Sequence, residues 1–138
     1  MECGRPKSSE DAISVAKQAL WEKFEISFST VENGTACGEL ILNAKHLNFY
    51  GVPFGGILFN LADNTAGMAF LSAGGNGVTV SGNVNYLRGA RPGTEKLICH
   101  ATVKKTGRRL FFIDAEVSDE VGNVLSEYTF IFTNIESP

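Results

Sequence analysis

Two kinds of group able to do chemistry fall in one stretch, NFYGVPFGGILFNLADNTAGMAFLSAGG, from Asn48 to Gly75. Gly55 and Gly56 stand where a loop punctuated by Gly51 and Pro53 gives way to a long apolar run. If that run is a helix, its first backbone N–H groups have no intrahelical acceptor and point outward at the positive end of the dipole. Glycine lets another group come close to them, and amides so placed can stabilise an oxyanion. Asp63 lies further on, among Leu61, Ala62, Ala66 and Met68. A carboxylate is rarely buried without a partner. Held in such surroundings it can act as a nucleophile or as the general base for a water. The plainer readings are glycines that let a helix pack closely on a sheet, and an Asp on a wet strip or held by hydrogen bonds.

The elements that must position these groups follow from the pattern. Between Ile57 and Leu71 there is no Pro and one Gly, Gly67, and the run is apolar on nearly every side. Such a helix, over about 55–72, is buried in a core or spans a membrane. Asp63 at its middle and a length below the roughly 20 residues of a span argue for the core. Upstream, Ser8 or Ser9 can cap a helix over 9–24, with Ile13, Ala16, Leu20 and Phe24 on one face. Residues 1–8 read as a loose tail. Glu25–Glu32 and Thr35–Leu42 read as strands joined at Asn33-Gly34, a strong hairpin signal.

Beyond Gly74-Gly75-Asn76-Gly77 the pattern is strand and turn to the end. Val78, Val80, Val84 and Tyr86 alternate with Thr79, Ser81, Asn83 and Asn85, which puts Thr79 on the polar face. Further strands run through Leu97–Val103, Phe111–Val117 and Val124–Thr133, separated by turns. The fold class expected is α+β, a curved antiparallel sheet wrapped around one long buried helix, with an extra N-terminal helix, in a single domain over 1–138. An edge strand such as Val78–Leu87 can pair with its own copy in a second chain.

Composition narrows the function. The chain has 138 residues and a net charge of −3, with no basic footprint for nucleic acid. Cys3, Cys37 and Cys99 are odd in number and lack C-x-x-C spacing, so neither a disulfide framework nor a zinc site is indicated. Free thiols suit a reducing compartment, and MECGRPKSSED has no apolar signal region. The expectation is a cytoplasmic protein with no membrane span. His46 and His100 have no matched carboxylate or metal-ligand spacing and read as structural or exposed. No metal, phosphate-loop or dinucleotide signature is present in the sequence.

The order of loop, buried helix and four-stranded meander resembles the hotdog fold. Asn48, Gly51, Phe54, Gly55 and Gly56, followed by Asp63, are similar to the motif of the PaaI-type (phenylacetate-pathway) acyl-CoA thioesterases. That motif reads Asn-x-x-Gly-x-x-His-Gly-Gly, with an Asp about six residues beyond the second Gly. Downstream, Gly77–Val80, Asn83–Leu87, Gly107-Arg108-Arg109 and Asp114–Val117 match the family's strands, so the resemblance covers about residues 25–133. It implies thioester hydrolysis, with the Gly55 N–H on the oxyanion, Asp63 as the carboxylate and Thr79 at a position that holds water. It implies sites shared across a dimer, often within a tetramer, and coenzyme A as part of substrate and product, with no separate cofactor. Asn48 either orients a carbonyl or water, or makes an Asx turn. Phe54 stands where the motif has His and offers no imidazole hydrogen bonds. That leaves a non-catalytic acyl-CoA or small-ligand binder as the alternative. A hotdog dehydratase would want an Asp/His pair on the approach loop, which has none.

Phe54, Gly56 and Asn64 are further candidates for substrate contact. Arg88 and Arg109 are candidate partners for the phosphates of coenzyme A, although Arg88 and Arg91, and Lys104, Lys105, Arg108 and Arg109, also read as solvated turn tips. The acyl group stays open, since the Phe residues suit a tunnel or a core equally.

Geometry supplies an independent argument for a dimer. Gly55 and Asp63 are eight residues apart, or about 12 Å along a helix. Amide donor and attacking group must both come within about 3 Å of one reacting centre. Two antiparallel copies of the helix can meet that condition by setting Gly55 of one chain against Asp63 of the other.

Overall fold

The computed structural model describes residues 9–135. The expected tail over 1–8, Cys3 and a cap at Ser8 lie outside the described residues. Helix α1 (Ser9–Phe24) leads through Glu25, a non-glycine residue at φ 57°, into β1 (Ile26–Glu32) and β2 (Thr35–Ile41). Asn33 and Gly34 between the two strands both take positive φ (49° and 79°), as the right-handed twist of a two-residue hairpin demands. A single 3₁₀ turn at Ala44–His46 and a loop lead to α2 (Gly55–Ser72). Then come β3 (Gly77–Tyr86), β4 (Lys96–Thr106), β5 (Leu110–Asp119) and β6 (Val124–Asn134).

The strands form one antiparallel sheet in the order β1-β2-β4-β5-β6-β3. Helix α2 touches all six. Its Leu58, Leu61, Ala62, Ala66, Met68 and Phe70 are buried. Phe70 packs edge-on against Phe111 at 4.8 Å between ring centroids, and Phe59 against Phe130 at 5.5 Å. Gly38 of β2 lets sheet and helix meet closely, because a Cβ there would collide with the Thr65 hydroxyl. This is the hotdog arrangement, with α1 lying against α2 and β1. Ile13, Ala16 and Leu20 of α1 pack on the core as their spacing predicts, whereas Phe24, at the helix end, stays 41% exposed.

Two expectations need correction. The last four strands are not one meander: β4, β5 and β6 are, but β3 pairs with β6 at the sheet edge, and β4 lies between β2 and β5. The 87–95 connection is too long for a hairpin, which has about two to five loop residues, and it carries the chain across the sheet. The second correction concerns Thr79. Thr79 stands opposite Phe132 and Ser81 opposite Ile131, so Val80 is an extra residue in a β-bulge. One inserted residue inverts the alternation. Thr79 therefore turns toward α2, while Val78 and Val80 are 53% and 58% exposed.

Candidate active site

The loop before α2 is built to deliver Gly55. Asn43 and His46 cap one another: Asn43 N–H donates to His46 Nδ1 (3.1 Å) and Lys45 N–H to Asn43 Oδ1 (3.1 Å). His46 is buried, and burial holds its pKa below the ordinary imidazole value. Its carbonyl accepts the N–H of Phe54 (3.1 Å) and so fixes the residue from which the helix begins. The Asn48 side-chain oxygen accepts the N–H groups of Tyr50 (3.0 Å) and Val52 (3.3 Å). That oxygen shapes the loop by an Asx turn.

Phe54 is the N-cap of α2 and makes no side-chain cap. Its ring is half exposed, and its carbonyl accepts Ile57 N–H at 2.9 Å. Gly55 and Gly56 are therefore the exposed first residues of the helix, and helix geometry gives their amides no intrahelical acceptor. Tyr86, at the end of β3, secures this end. Its hydroxyl donates to the Gly55 carbonyl at 3.0 Å, and a Cβ on Gly55 would lie 3.2 Å from its ring. Sequence reading missed Tyr86 as a site residue and treated it as part of an apolar strand face. Its inward phase, shared with Val84, was read from the sequence, but alternation gives no partner for its hydroxyl 31 positions away.

Asp63 lies two turns along α2 and is half-buried. The Thr79 hydroxyl donates to its Oδ1 at 2.8 Å. Burial pushes the Asp63 pKa up, and the Thr79 bond partly opposes the shift. The result is a carboxylate with one oxygen held and basicity above that of an ordinary Asp, on the open side of the sheet where Thr79 is exposed. Asn64, its neighbour, is tied back along the helix: its Nδ2 donates to Asn60 O and Asn60 Oδ1, both at 2.9 Å.

The candidates thus fall into two groups. Gly55, Gly56, Phe54 and Tyr86 gather at the start of α2, with Arg88 just beyond β3 on the same side. Asp63 and Thr79 meet near the start of β3, with Asn64 alongside. Arg109 belongs to this second end, because its carbonyl accepts Asn134 N–H and Asn134 pairs with Gly77. The Arg88 side chain donates a long hydrogen bond to Asn123 Oδ1 at 3.4 Å. One chain does not bring the two arginines together, since nearly the whole of β3 separates them. A wider hollow of about 530 Å³ lies on the other face of the sheet, but its carboxylates Asp114, Glu116 and Glu127 outnumber Lys104, which is paired with Asp114 at 3.2 Å, and that disfavours an anionic ligand there.

Comparison with known proteins agrees with this architecture. Residues 50–126 match the family model of the thioesterase superfamily, and the chain belongs to that superfamily. It is similar to human acyl-coenzyme A thioesterase 13, with 30% identity over 98 residues, 70% of this chain and 69% of that protein. The PaaI protein from the phenylacetic acid degradation operon of E. coli has the same fold. It matches with a TM-score of 0.81 at 22% identity, covering 91% of this chain and 98% of that one. A Streptococcus mutans protein bound to acetyl-CoA matches with a TM-score of 0.74 at 25% identity, covering 82% and 91%. No helix among the described residues is long and apolar enough to cross a membrane.

Proposed function

We propose that this chain hydrolyses the thioester bond of an acyl-CoA to free acid and coenzyme A. The observation that carries the reading is the Asp63–Thr79 pair: a half-buried, basic carboxylate with one oxygen fixed. Water, giving its proton to Asp63, attacks the thioester carbon; alternatively Asp63 attacks it directly. Negative charge moves to the carbonyl oxygen, where the Gly55 N–H stabilises it. The intermediate collapses and expels the coenzyme A thiolate, which takes up a proton; on the direct route this leaves an acyl–Asp63 anhydride, which a water then hydrolyses to the free acid and the restored carboxylate. The acetyl-CoA held by a structural relative and the name of the human relative support this substrate class.

A panel of acyl-CoA esters with a free-thiol readout tests the reaction. Release of thiol from at least one ester is expected. Saturable binding of acyl-CoA without thiol release would instead establish the binder. That second reading is favoured by Phe54, which presents an exposed ring and no imidazole at the helix start.

Each site is completed by a second copy. Antiparallel apposition of two α2 helices puts the Gly55 end of one chain, with its Arg88, against the Asp63 end of the other, with its Arg109. The open edge of β3, bearing exposed Val78 and Val80, pairs with its own copy and so loses its unpaired backbone groups. Val80→Lys places a charge on that edge. It is expected to convert the sedimenting species from a dimer, or a dimer of dimers, to a monomer, with activity lost in step. A fully active monomer would refute the shared site. A cytoplasmic location fits free thiols at Cys37 and Cys99.

A further inference from the structure

An apolar cleft of about 250 Å³ opens beside the Asp63–Thr79 pair, on the side covered by α1. Ala16, Ala19 and Leu20 of α1 form one wall, Gly67 and Leu71 of α2 the other, and Phe132 of β6 the floor. The residues that line it stand next to both groups: Asn64 follows Asp63 in α2, and Gly77 lies two residues before Thr79 in β3. Gly67 lies one helical turn beyond Asp63 on the same face. Thr79, which holds Asp63, is the register partner of Phe132. A Cβ at Gly67 would stand 3.6 Å from the Phe132 ring.

Small residues usually let two helices close on one another; here they leave a space. That space has room for about eight waters at about 30 Å³ each, yet a water needs two to four polar partners. Among the named walls there is no polar side chain. Asn64, at the rim, has its amide nitrogen committed to Asn60. An apolar guest suits the cleft better than water.

We infer that this cleft receives the acyl tail of the substrate and gives the chain a preference for a saturated acyl group of about six to eight carbons over acetyl. The inference rests on the proposed hydrolysis at Asp63, since it runs the tail from a thioester carbon placed there. It makes α1, which carries none of the motif residues, the element that sets chain length.

The test compares octanoyl-CoA with acetyl-CoA in the full chain and in two variants that fill the cleft from opposite walls. Ala19→Phe is expected to lower the octanoyl-to-acetyl ratio of kcat/KM at least about tenfold, because each methylene that loses its burial weakens binding. Gly67→Ala is expected to lower it less but measurably. It also guards against misfolding, since Ala is the better helix former. An unchanged ratio in both variants overturns the inference. If neither ester is hydrolysed, the proposed reaction is judged by the wider panel of acyl-CoA esters, and the cleft by sodium octanoate titrated into the labelled protein. Shifts of the Gly67 and Ala19 amides that disappear in Ala19→Phe then support the cleft, and their absence in the unmodified chain overturns it.

Discussion

Asp63→Asn is expected to lower kcat at least about 100-fold while raising the unfolding midpoint at neutral pH. The loss follows because a carboxamide neither accepts the proton of an attacking water nor attacks a thioester; a positioned general base contributes about 10² to 10⁴ in rate. The gain follows from the direction of the pKa shift. Burial raises the folded pKa of Asp63 above its ordinary 3.8, against the lowering effect of Thr79. A group shifted this way binds its proton more tightly when folded. Its charged form therefore penalises the fold once pH rises through the folded value, and it carries no penalty below 3.8, where it is protonated in both states. Asn removes that penalty and can still accept the Thr79 hydroxyl. Thermal unfolding should show the variant more stable at neutral pH and the difference gone in acid. An Asn variant less stable at both, with kcat unchanged, would make Asp63 a structural partner of Thr79 and nothing more. Thr79→Ala works in the opposite sense on the same group: it removes the bond that lowers the pKa, so the acidic limb of the rate profile moves to higher pH.

The parts of this molecule that a sequence shows well are those where local rules and tertiary packing agree. Gly55 and Gly56 break the loop, the apolar run continues to Ser72, and α2 is buried as its composition requires. Asn33-Gly34 takes the only backbone conformation that suits that dipeptide in a hairpin. The reading failed where a single residue changes phase. Val78 and Val80 look like the inward face of β3 because they are apolar, but the bulge at Val80 leaves both exposed. Their apolar character fits the edge proposed to meet a second chain, and nothing local to the strand distinguishes an interface from a core. The same bulge brings Thr79 to Asp63 and Tyr86 to Gly55, contacts of residues 16 and 31 positions apart. Alternation assigns faces but not partners, so the pairing of β3 with β6 across the 87–95 connection was equally out of reach. Asn48 was legible only as a choice of two roles, and its side-chain oxygen is engaged with the Tyr50 and Val52 amides.

Gly55→Pro should separate the oxyanion donor from the helix that presents it. Proline at the first helical position is favoured, because its fixed φ suits the helix and the missing N–H had no intrahelical acceptor. The residue before a proline must be extended, and Phe54 already is, at φ −58° and ψ 145°. The helix should therefore form in the variant. The complication is steric: any Cβ at this position lies 3.2 Å from the Tyr86 ring. That ring is about half exposed and has room to swing away. Gly55→Ala carries the same Cβ and keeps the N–H, so it is the proper reference. Relative to it, Gly55→Pro is expected to lose about 10² to 10³ in kcat, the effect of removing one oxyanion donor. KM and the circular dichroism spectrum should stay close to those of the Ala variant. Because Gly55 of one chain is proposed to serve Asp63 of the other, mixing Gly55→Pro with Asp63→Asn subunits adds a second readout. Each mixed dimer contains one site with both substitutions and one with neither, and random pairing of equal amounts makes half of the dimers mixed, so mixing two inactive proteins should restore activity toward about a quarter of that of the unmodified dimer. Sites confined to single chains would stay inactive on mixing, and equal rates for the Pro and Ala variants would move the donor from Gly55 to the neighbouring amide of Gly56.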